Sequence, residues 1–197
     1  MTEPLRDHIR RTVEVLGSVA DSLAEPAARA AEMMIEALRA GHALYVCGNG
    51  GSAAQAQHIA GELVGRFQRD RPPLPCVALT ADASLLTAIA NDYDVERIFE
   101  RQVEALVHEG DVLWALSTSG NSANVLRAAS MARRRGAKVL GMIGAGGGKL
   151  KALCDVALCV PADSTALVQE AHLALLHFFC GAIEASLFAP PVEETPE

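Results

Sequence analysis

The sequence predicts an α/β fold in which a parallel sheet carries helices on both faces. Short apolar runs, typical of buried strands, alternate along the chain with longer segments of helical periodicity. In a doubly wound sheet the strands and helices alternate in this way, and ligands bind beyond the carboxyl ends of the strands. The five predicted strands are residues 43–47, 76–79, 112–116, 138–143 and 156–160.

Helices are predicted at both ends of the chain. Helical periodicity covers residues 5–22 and 26–40, and Pro26 separates these segments because proline interrupts the hydrogen-bond ladder of a helix. Gly41 is a typical stop for the second segment. The closing helix is predicted over residues 165–187. The sequence thus predicts two N-terminal helices and one long terminal helix.

Length and composition predict one domain with a hydrophobic core. The chain has 197 residues, of which half are hydrophobic and 21% are charged. Residues 1–188 are expected to form the domain, and the polar, proline-containing segment 189–197 is expected to be a disordered tail. The net charge of -7 argues against a nucleic-acid partner, because a phosphate backbone requires clustered Lys and Arg side chains.

Neither a membrane partner nor a disulfide framework is indicated. The N-terminus lacks the apolar core of a signal peptide, and no apolar run approaches the ~20 residues of a membrane span. A cytoplasmic location is therefore expected. The five cysteines are an odd number without any C-x-x-C pair, which argues against disulfides and against a thiolate zinc site.

Two polar loops follow predicted strands and point to a phosphate site. Residues 47–52 read Cys-Gly-Asn-Gly-Gly-Ser, and residues 117–122 read Ser-Thr-Ser-Gly-Asn-Ser. A glycine-rich turn between strand and helix presents free backbone N–H groups and a helix N-terminus, which attract phosphate. Both loops lie at carboxyl ends of strands, so they can converge although roughly seventy residues separate them. We therefore expect a phosphorylated small molecule as the ligand.

Two other nucleotide-binding interpretations fit less well. Residues 48–53 satisfy G-x-G-x-x-A, but the acid that binds the ribose of a dinucleotide should end the second strand, and Asp82 comes only beyond Thr80 and Ala81. Residues 144–150 resemble a P-loop, but the first glycine is misplaced and Leu150 replaces the metal-binding Ser or Thr. The second segment is predicted to be a flexible connection.

Four polar side chains on two predicted helices are candidates for chemistry. His58 and Glu62 are four residues apart and share a helix face. Gln169 and His177 are about 80° apart around the closing helix, so both can border one cavity. Two imidazoles, a carboxylate and an amide can surround a divalent metal, or they can supply the acid and base of an aldose–ketose isomerisation. The remaining histidines are expected to be surface or core residues: His8, His42, His108 and His172.

The joint occurrence of these motifs, in this order, resembles the sugar isomerase (SIS) domain family. The resemblance extends from the N-terminal helices to about residue 188, and it is strongest to members that isomerise seven-carbon sugar phosphates. It implies a flavodoxin-like three-layer sandwich with a five-stranded parallel sheet and N-terminal helices. It also implies a homotetramer whose active sites lie at subunit interfaces. The matching segments are residues 47–52, 58–63, 91–92, 117–122 and 169–172.

The resemblance implies an activity and its residues. The reaction would interconvert sedoheptulose 7-phosphate and D-glycero-D-manno-heptose 7-phosphate through an enediol, for bacterial heptose and lipopolysaccharide biosynthesis, without a nucleotide cofactor. Glu62 and His177 match the acid/base residues. A zinc site, one per subunit, matches His58, Glu62, Gln169 and His177. The substrate-binding positions are Asn49, Gly50, Gly51, Ser52, Glu62, Asn91, Asp92, Ser117, Thr118, Ser119, Ser122 and Gln169.

One departure from the family pattern concerns the start of the closing helix. Members commonly have a basic residue and an isoleucine before the glutamine, whereas this chain has Leu167 and Val168. Polar groups at that turn would then come from Asp163, Ser164 or Thr165. Two alternatives share the fold: a non-catalytic SIS regulator that binds the replication initiator DnaA, and an isomerase of another sugar phosphate. The regulator's pattern lacks the glutamate and second histidine that this chain retains.

Overall fold

Five parallel strands form the central sheet of the computed structural model, which describes residues 2–188. Their spatial order is β2-β1-β3-β4-β5, so the chain reverses direction across the sheet after β2, as in a doubly wound fold. The predicted α/β class and the parallel sheet are confirmed, while the predicted tail at 189–197 lies outside the described residues. The strands are β1 Leu44–Cys47, β2 Cys76–Ala78, β3 Val112–Ser117, β4 Lys138–Ile143 and β5 Val156–Cys159.

Helices cover both faces of the sheet and make it a three-layer sandwich. Alternate residues of β3 face opposite layers: Trp114 packs with the first, second and last helices, and Leu113 packs with the helices of the other layer. Trp114 is fully buried and meets the ring of Phe179 edge to face. The helices are α1 Thr2–Arg39, α2 Gly51–Val64, α3 Ala83–Asp92, α4 Glu100–Leu106, α5 Ala123–Arg134 and α6 Thr165–Leu187.

The N-terminal region is one helix, and the prediction of two helices is wrong. Pro26 lies inside α1 without ending it. Proline removes one backbone N–H from the ladder, but α1 buries a continuous apolar stripe on both sides of Pro26, from Val19 to Leu38. Burial of this stripe against α6 and the sheet outweighs the local cost of the proline, which is about 3 kcal/mol in a helix interior.

The last helix, α6, is long and apolar enough to cross a membrane by length and composition alone. Half of its apolar window is nevertheless buried inside the sandwich. It also carries Glu184, whose carboxylate is buried beside Arg71. We therefore interpret α6 as a core helix, and its buried positions explain the apolar composition.

All five cysteines are free thiols, as the sequence predicts. Burial raises the pKa of Cys47 and Cys180 to about 12, with carboxylates of Glu62 and Glu184 adding to the effect at Cys180. Thiols with such pKa values stay protonated at neutral pH, as expected for buried apolar side chains.

Candidate functional site

The two polar loops meet at the carboxyl edge of the sheet and enclose one cavity. β1 and β3 are neighbours in the sheet, so the loops that follow them lie side by side. The cavity between them has a volume of about 340 Å³, and we call it the loop cavity. Its lining residues are Asn49, Gly50, Gly51, Ser52, Leu116, Ser117, Thr118, Ser122, Thr165 and Gln169.

Neutral donors and helix N-termini make the loop cavity suited to an anion. Three helices begin there: α2 after Gly50, α5 after Ser122 and α6 after Ser164. The residues that line the cavity include hydroxyls and amides but no Lys or Arg. The positive ends of three helix dipoles, together with hydroxyl and backbone N–H donors, can hold a phosphate without a side-chain cation.

The segment 144–150 packs against the second loop, and the prediction of a flexible connection is wrong. Gly144 N–H donates to the carbonyl of Thr118, and Leu150 N–H donates to the carbonyl of Gly120. Lys149 N–H donates to the side chain of Asn121 at 3.1 Å. These bonds hold the segment 144–150 against the second loop, residues 117–122. The glycines in 144–150 therefore allow close approach of two backbones.

Gly120 is a position where this packing requires glycine. Its φ of +64° lies in the left-handed region, and a Cβ atom there would overlap the carbonyl oxygen of Gly147. We expect Gly120→Ala to lower the free energy of unfolding by about 2 kcal/mol or more, measured by urea denaturation. Gly17→Ala is the matched control, because Gly17 is an exposed helical glycine with open space around it. That control should raise stability slightly, and equal stability of the two variants would contradict the prediction.

An amide pair joins the first loop to α5. Asn49 Nδ2 donates to Asn124 Oδ1 at 2.8 Å, and Asn124 Nδ2 donates back to Asn49 Oδ1 at 2.9 Å. Asn124 Oδ1 also accepts the backbone N–H of Val125. The Asn49 side chain, predicted to contact substrate, thus uses both the nitrogen and the oxygen of its amide to join the first loop to α5. Sequence analysis missed Asn124, because the pairing joins residues 75 positions apart.

Farther along α2 and α6, three residues predicted for acid/base chemistry or metal binding converge, and we call them the catalytic cluster after that prediction: His58, Glu62 and His177. His58 Nε2 lies 3.1 Å from Glu62 Oε1 and 3.4 Å from His177 Nε2. Their ligand atoms all lie within 4.8 Å of one another. The sequence prediction that a carboxylate and an imidazole from facing helices share one site agrees with this geometry.

The donor set of the catalytic cluster fits a zinc ion. His58 Nε2 carries at most one hydrogen, so it cannot make a full hydrogen bond to both Glu62 and His177. A cation among the three would accept a lone pair from each. Two histidines and one glutamate with an open position are a common ligand set of catalytic zinc. The three residues present therefore fit the metal that the resemblance implies.

Gln169, the fourth predicted zinc ligand, has its side chain at the loop cavity. Its Nε2 lies 3.4 Å from Ser52 Oγ, and its amide also fills the space beside Gly51. Its backbone carbonyl accepts a hydrogen bond from Gln55 at 2.7 Å. Because α6 rises ~1.5 Å per residue, the Cα atoms of Gln169 and His177 are about 12 Å apart. In this structure Gln169 thus belongs with the loop cavity.

Three further predicted contacts lie outside the loop cavity. Ser119 lines a neighbouring cavity, which shares Thr118 and Thr165 with it. Asn91 donates to Asp92 at 2.9 Å, and Asp92 lines a groove between α3 and α4 instead. The structure of the single chain therefore does not bring Asn91 and Asp92 to the other predicted contacts. Their role stays a prediction.

His172 is close to the site but is no candidate for acid/base chemistry. Its side chain is fully buried, and Nε2 lies 3.4 Å from the carbonyl of Ile143. Burial lowers the pKa of His172 to about 4, which the hydrogen bond to Ile143 only partly opposes. The imidazole is thus neutral at physiological pH. The expectation that His172 is a core residue is confirmed.

Comparisons with known proteins identify the family. A model of the SIS domain matches residues 7–144. The chain is 47% identical over 188 residues to the phosphoheptose isomerase of Trichlorobacter lovleyi, which covers 95% of this chain and 94% of the relative. It is similar in structure to phosphoheptose isomerase GmhA from Neisseria gonorrhoeae, with a TM-score of 0.89 and 42% identity over 93% of this chain and 98% of that one. The chain belongs to the phosphoheptose isomerase family.

Membership of the phosphoheptose isomerase family decides between the interpretations of the sequence. A relative from Aromatoleum aromaticum, 50% identical over 190 residues with 95% of this chain and 94% of the relative covered, carries the same name. The chain is therefore an isomerase with an SIS fold. The dinucleotide interpretation and the DnaA-binding regulator do not agree with these relatives.

Two residues bear on the departure from the family pattern at the start of α6. Leu167 is buried in the core, so it offers no polar group to a ligand. Thr165, one of the candidates for that role, lines the loop cavity.

Sequence analysis missed Phe67, whose ring stacks on His177 with centroids 5.6 Å apart and planes 17° apart. No sequence signal indicated that contact, because 110 positions separate the two residues.

Proposed function

We propose that this enzyme interconverts sedoheptulose 7-phosphate and D-glycero-D-manno-heptose 7-phosphate in the cytoplasm, for bacterial heptose and lipopolysaccharide biosynthesis. The observation that carries the proposal is the convergence of Glu62 and His177 on one site beside His58. The names of the relatives support a seven-carbon substrate. The loop cavity supplies the anion site that a sugar phosphate needs.

The distance between the two parts of the site fits the length of the substrate. α2 and α6 both begin at the loop cavity, and Ser52 faces Gln169 while His58 faces His177 farther along. The helix rise of ~1.5 Å per residue separates Ser52 from His58 by about 9 Å. An extended chain of eight single bonds, from phosphorus to C1, spans about 10 Å. A phosphate in the loop cavity therefore allows C1 and C2 to reach the catalytic cluster.

The proposed chemistry moves one proton between carbons and one between oxygens. A base removes a proton from C1 of the ketose while an acid protonates the carbonyl oxygen on C2, which gives the enediol. Return of a proton to C2 and loss of the proton from the C1 hydroxyl give the aldose, so no atom is gained or lost. Glu62 and His177 act as the two proton carriers. They come from different helices, α2 and α6, so each can serve a different atom of the substrate.

Zinc is the proposed cofactor, one ion per subunit. His58, Glu62 and His177 would hold it; Gln169 stays a predicted ligand, although its amide lies at Ser52 in this structure. When bound, zinc polarises a carbonyl oxygen and orients the two oxygens of the substrate. Glu62 cannot be both a tight ligand and a strong base, because a carboxylate bound to a metal is a weaker proton acceptor. Metal occupancy and the base role of Glu62 therefore compete.

We propose that the hydroxyls of the second loop bind the phosphate, with those of Ser52 and Thr165. Ser117 is buried, and its Oγ lies 3.3 Å from Ser122 Oγ. Two neighbouring hydroxyls at the loop cavity can therefore bind one phosphate. We expect Ser117→Ala to raise the KM for the sugar phosphate about tenfold, because a hydrogen bond to a charged group is lost. Steady-state kinetics measures the effect. Ser84→Ala, an exposed serine on α3, is the control, and an unchanged KM in Ser117→Ala would contradict the proposal.

We also propose the homotetramer that the resemblance implies. Three apolar side chains of α1, spaced four residues apart, are more than half exposed: Leu5, Ile9 and Val13. Residues at that spacing form one stripe along a helix, and exposed stripes of this kind mark contact surfaces. Leu173 and Phe178 of α6 are exposed as well. Sedimentation equilibrium should give the mass of four chains, and a monomeric mass would contradict the proposal.

One experiment tests the function. The purified protein is incubated with sedoheptulose 7-phosphate, with and without a chelator, and the aldose product is quantified. We expect product in the untreated sample, less after chelation, and recovery on adding zinc. Fructose 6-phosphate and ribulose 5-phosphate are the comparison substrates. Faster turnover of either would favour an isomerase of a shorter sugar, and no turnover of any of the three would contradict the proposed activity.

A further inference from the structure

A buried ion pair connects the end of α2 to α6 beyond the catalytic cluster. Arg71 Nε lies 3.0 Å from Glu184 Oε1, and the side chains of the two residues are 1% and 2% exposed. Arg71 follows α2 in the chain, whereas Glu184 lies on α6 two turns after His177. The pair is therefore a further contact between these two regions, beyond those of Ser52 and Gln55 with Gln169 and of His58 with His177.

Glu184 holds the loop that follows α2. Its carboxylate accepts backbone N–H groups from three successive residues, 67–69, at 2.9, 3.0 and 3.1 Å. Burial alone would raise the pKa of Glu184, but these bonds and the one from Arg71 outweigh it and lower the pKa. The carboxylate is thus ionised and fully used in binding the loop. Phe67 is one of the residues held, and its ring lies on His177.

Arg71 holds the last turn of α2. Its Nη1 donates to the carbonyl of Leu63 at 2.6 Å, and its Nη2 donates to the carbonyl of Glu62 at 2.8 Å. The last carbonyls of a helix have no partner within the helix, and a cation there also complements the helix dipole. The guanidinium thus touches the backbone of Glu62 itself. The Arg71 side chain therefore links the backbone of Glu62 to the carboxylate of Glu184.

We propose that Arg71 and Glu184 are positioning residues that fix the catalytic cluster for metal binding and proton transfer. Arg71 fixes Glu62 through its backbone, and Glu184 fixes the plane of His177 through Phe67. Residues that contact metal ligands and orient them, without touching the metal, typically contribute a factor of about 10 to 100 in metal affinity or activity. The inference rests on the proposed function, because it takes the catalytic cluster as the zinc and proton-transfer site.

Two variants test the proposal in the full-length protein. Glu184→Gln removes the charge, and Arg71→Lys keeps the charge but replaces the planar guanidinium, whose three nitrogens each reach a different partner, by a single nitrogen. We expect each to weaken zinc binding to the metal-stripped protein about tenfold or more, measured by competition with a chromophoric chelator. The visible absorption spectrum of the cobalt-loaded protein should also change. kcat should fall about tenfold while KM stays within about twofold, because the loop cavity is untouched.

A matched control separates positioning from general stability. Asp111 is also a buried carboxylate that accepts two backbone N–H groups, from Ala43 at 2.9 Å and His108 at 2.8 Å. It precedes β3 at the opposite edge of the sheet, far from the catalytic cluster. Asp111→Asn should lower the melting temperature but leave the zinc affinity and cobalt spectrum of the folded protein unchanged.

The outcomes distinguish the inference from the function on which it rests. Wild-type zinc affinity and a wild-type cobalt spectrum in Glu184→Gln and Arg71→Lys would overturn the inference alone. A wild-type protein that binds no zinc would contradict the metal proposal and the inference together. If both variants fail to fold, Phe67→Leu keeps the ion pair and removes only the ring on His177. Zinc affinity weakened several-fold would then support the proposal, and unchanged affinity would overturn it.

Discussion

Replacing Glu62 by glutamine is expected to abolish isomerisation while leaving the fold intact. Glutamine keeps the size of the side chain but cannot take up a proton, and general acid–base groups contribute typically 10²–10⁴-fold to a rate. We therefore expect kcat to fall about 10³-fold or more. The Glu62 side chain is 23% exposed and makes no buried ion pair, so its replacement should change the melting temperature little. Turnover of sedoheptulose 7-phosphate and circular dichroism measure the two effects.

The control for Glu62→Gln is Glu104→Gln, which makes the same chemical change at an exposed site on α4. That variant should retain wild-type kcat. Appreciable activity in folded Glu62→Gln, within about tenfold of the wild-type enzyme, would refute the assignment of Glu62 as a proton carrier. A metal titration adds information, because loss of a carboxylate ligand should also weaken zinc binding.

Replacing His177 by glutamine is expected to lower kcat about 10²-fold or more and to weaken zinc binding. The glutamine amide can form hydrogen bonds but cannot exchange a proton near neutral pH, and it is a weaker zinc ligand than imidazole. The proposed phosphate site in the loop cavity lies two turns away along α6, so the KM should change much less than kcat. Saturating zinc should not restore the rate, since the proton carrier itself is missing. His108→Gln, at an exposed position, is the control.

Two results would contradict the role of His177. Full recovery of activity in His177→Gln with added zinc would leave His177 as a ligand only, with proton transfer assigned elsewhere. Unchanged activity and zinc affinity would remove His177 from the site altogether. A loss of folded protein would be visible by circular dichroism, and only the folded fraction would then enter the kinetic comparison.

The strands and the terminal helix could be predicted from the sequence because short-range patterns determine them. Each predicted strand matches an observed one within one residue at either end, and α6 covers the predicted 165–187. The continuity of α1 could not be predicted in this way. Local rules stop a helix at Pro26, and only packing against α6 and the sheet overrides them.

The site was partly predictable, because some of its contacts also depend on the spacing of residues along one helix. The spacing of His58 and Glu62 on one helix gives their shared face directly, and their 3.1 Å contact agrees. The stack of Phe67 on His177 depends on how a loop folds back over α6, which no periodicity encodes. Likewise, Gln169 shares a helix with His177, yet the packing of α6 at Ser52 places its amide at the other end of the site.

The single tryptophan of the chain gives this protein a built-in optical probe. Trp114 is sealed in the centre of β3 and touches Phe179 of the helix that also carries His177. Its fluorescence should shift to longer wavelength when water reaches the indole, which requires the layer of α1, α2 and α6 to separate from the sheet. Unlabelled samples of every variant discussed above can thus be compared by emission alone, without interference from events at the substrate.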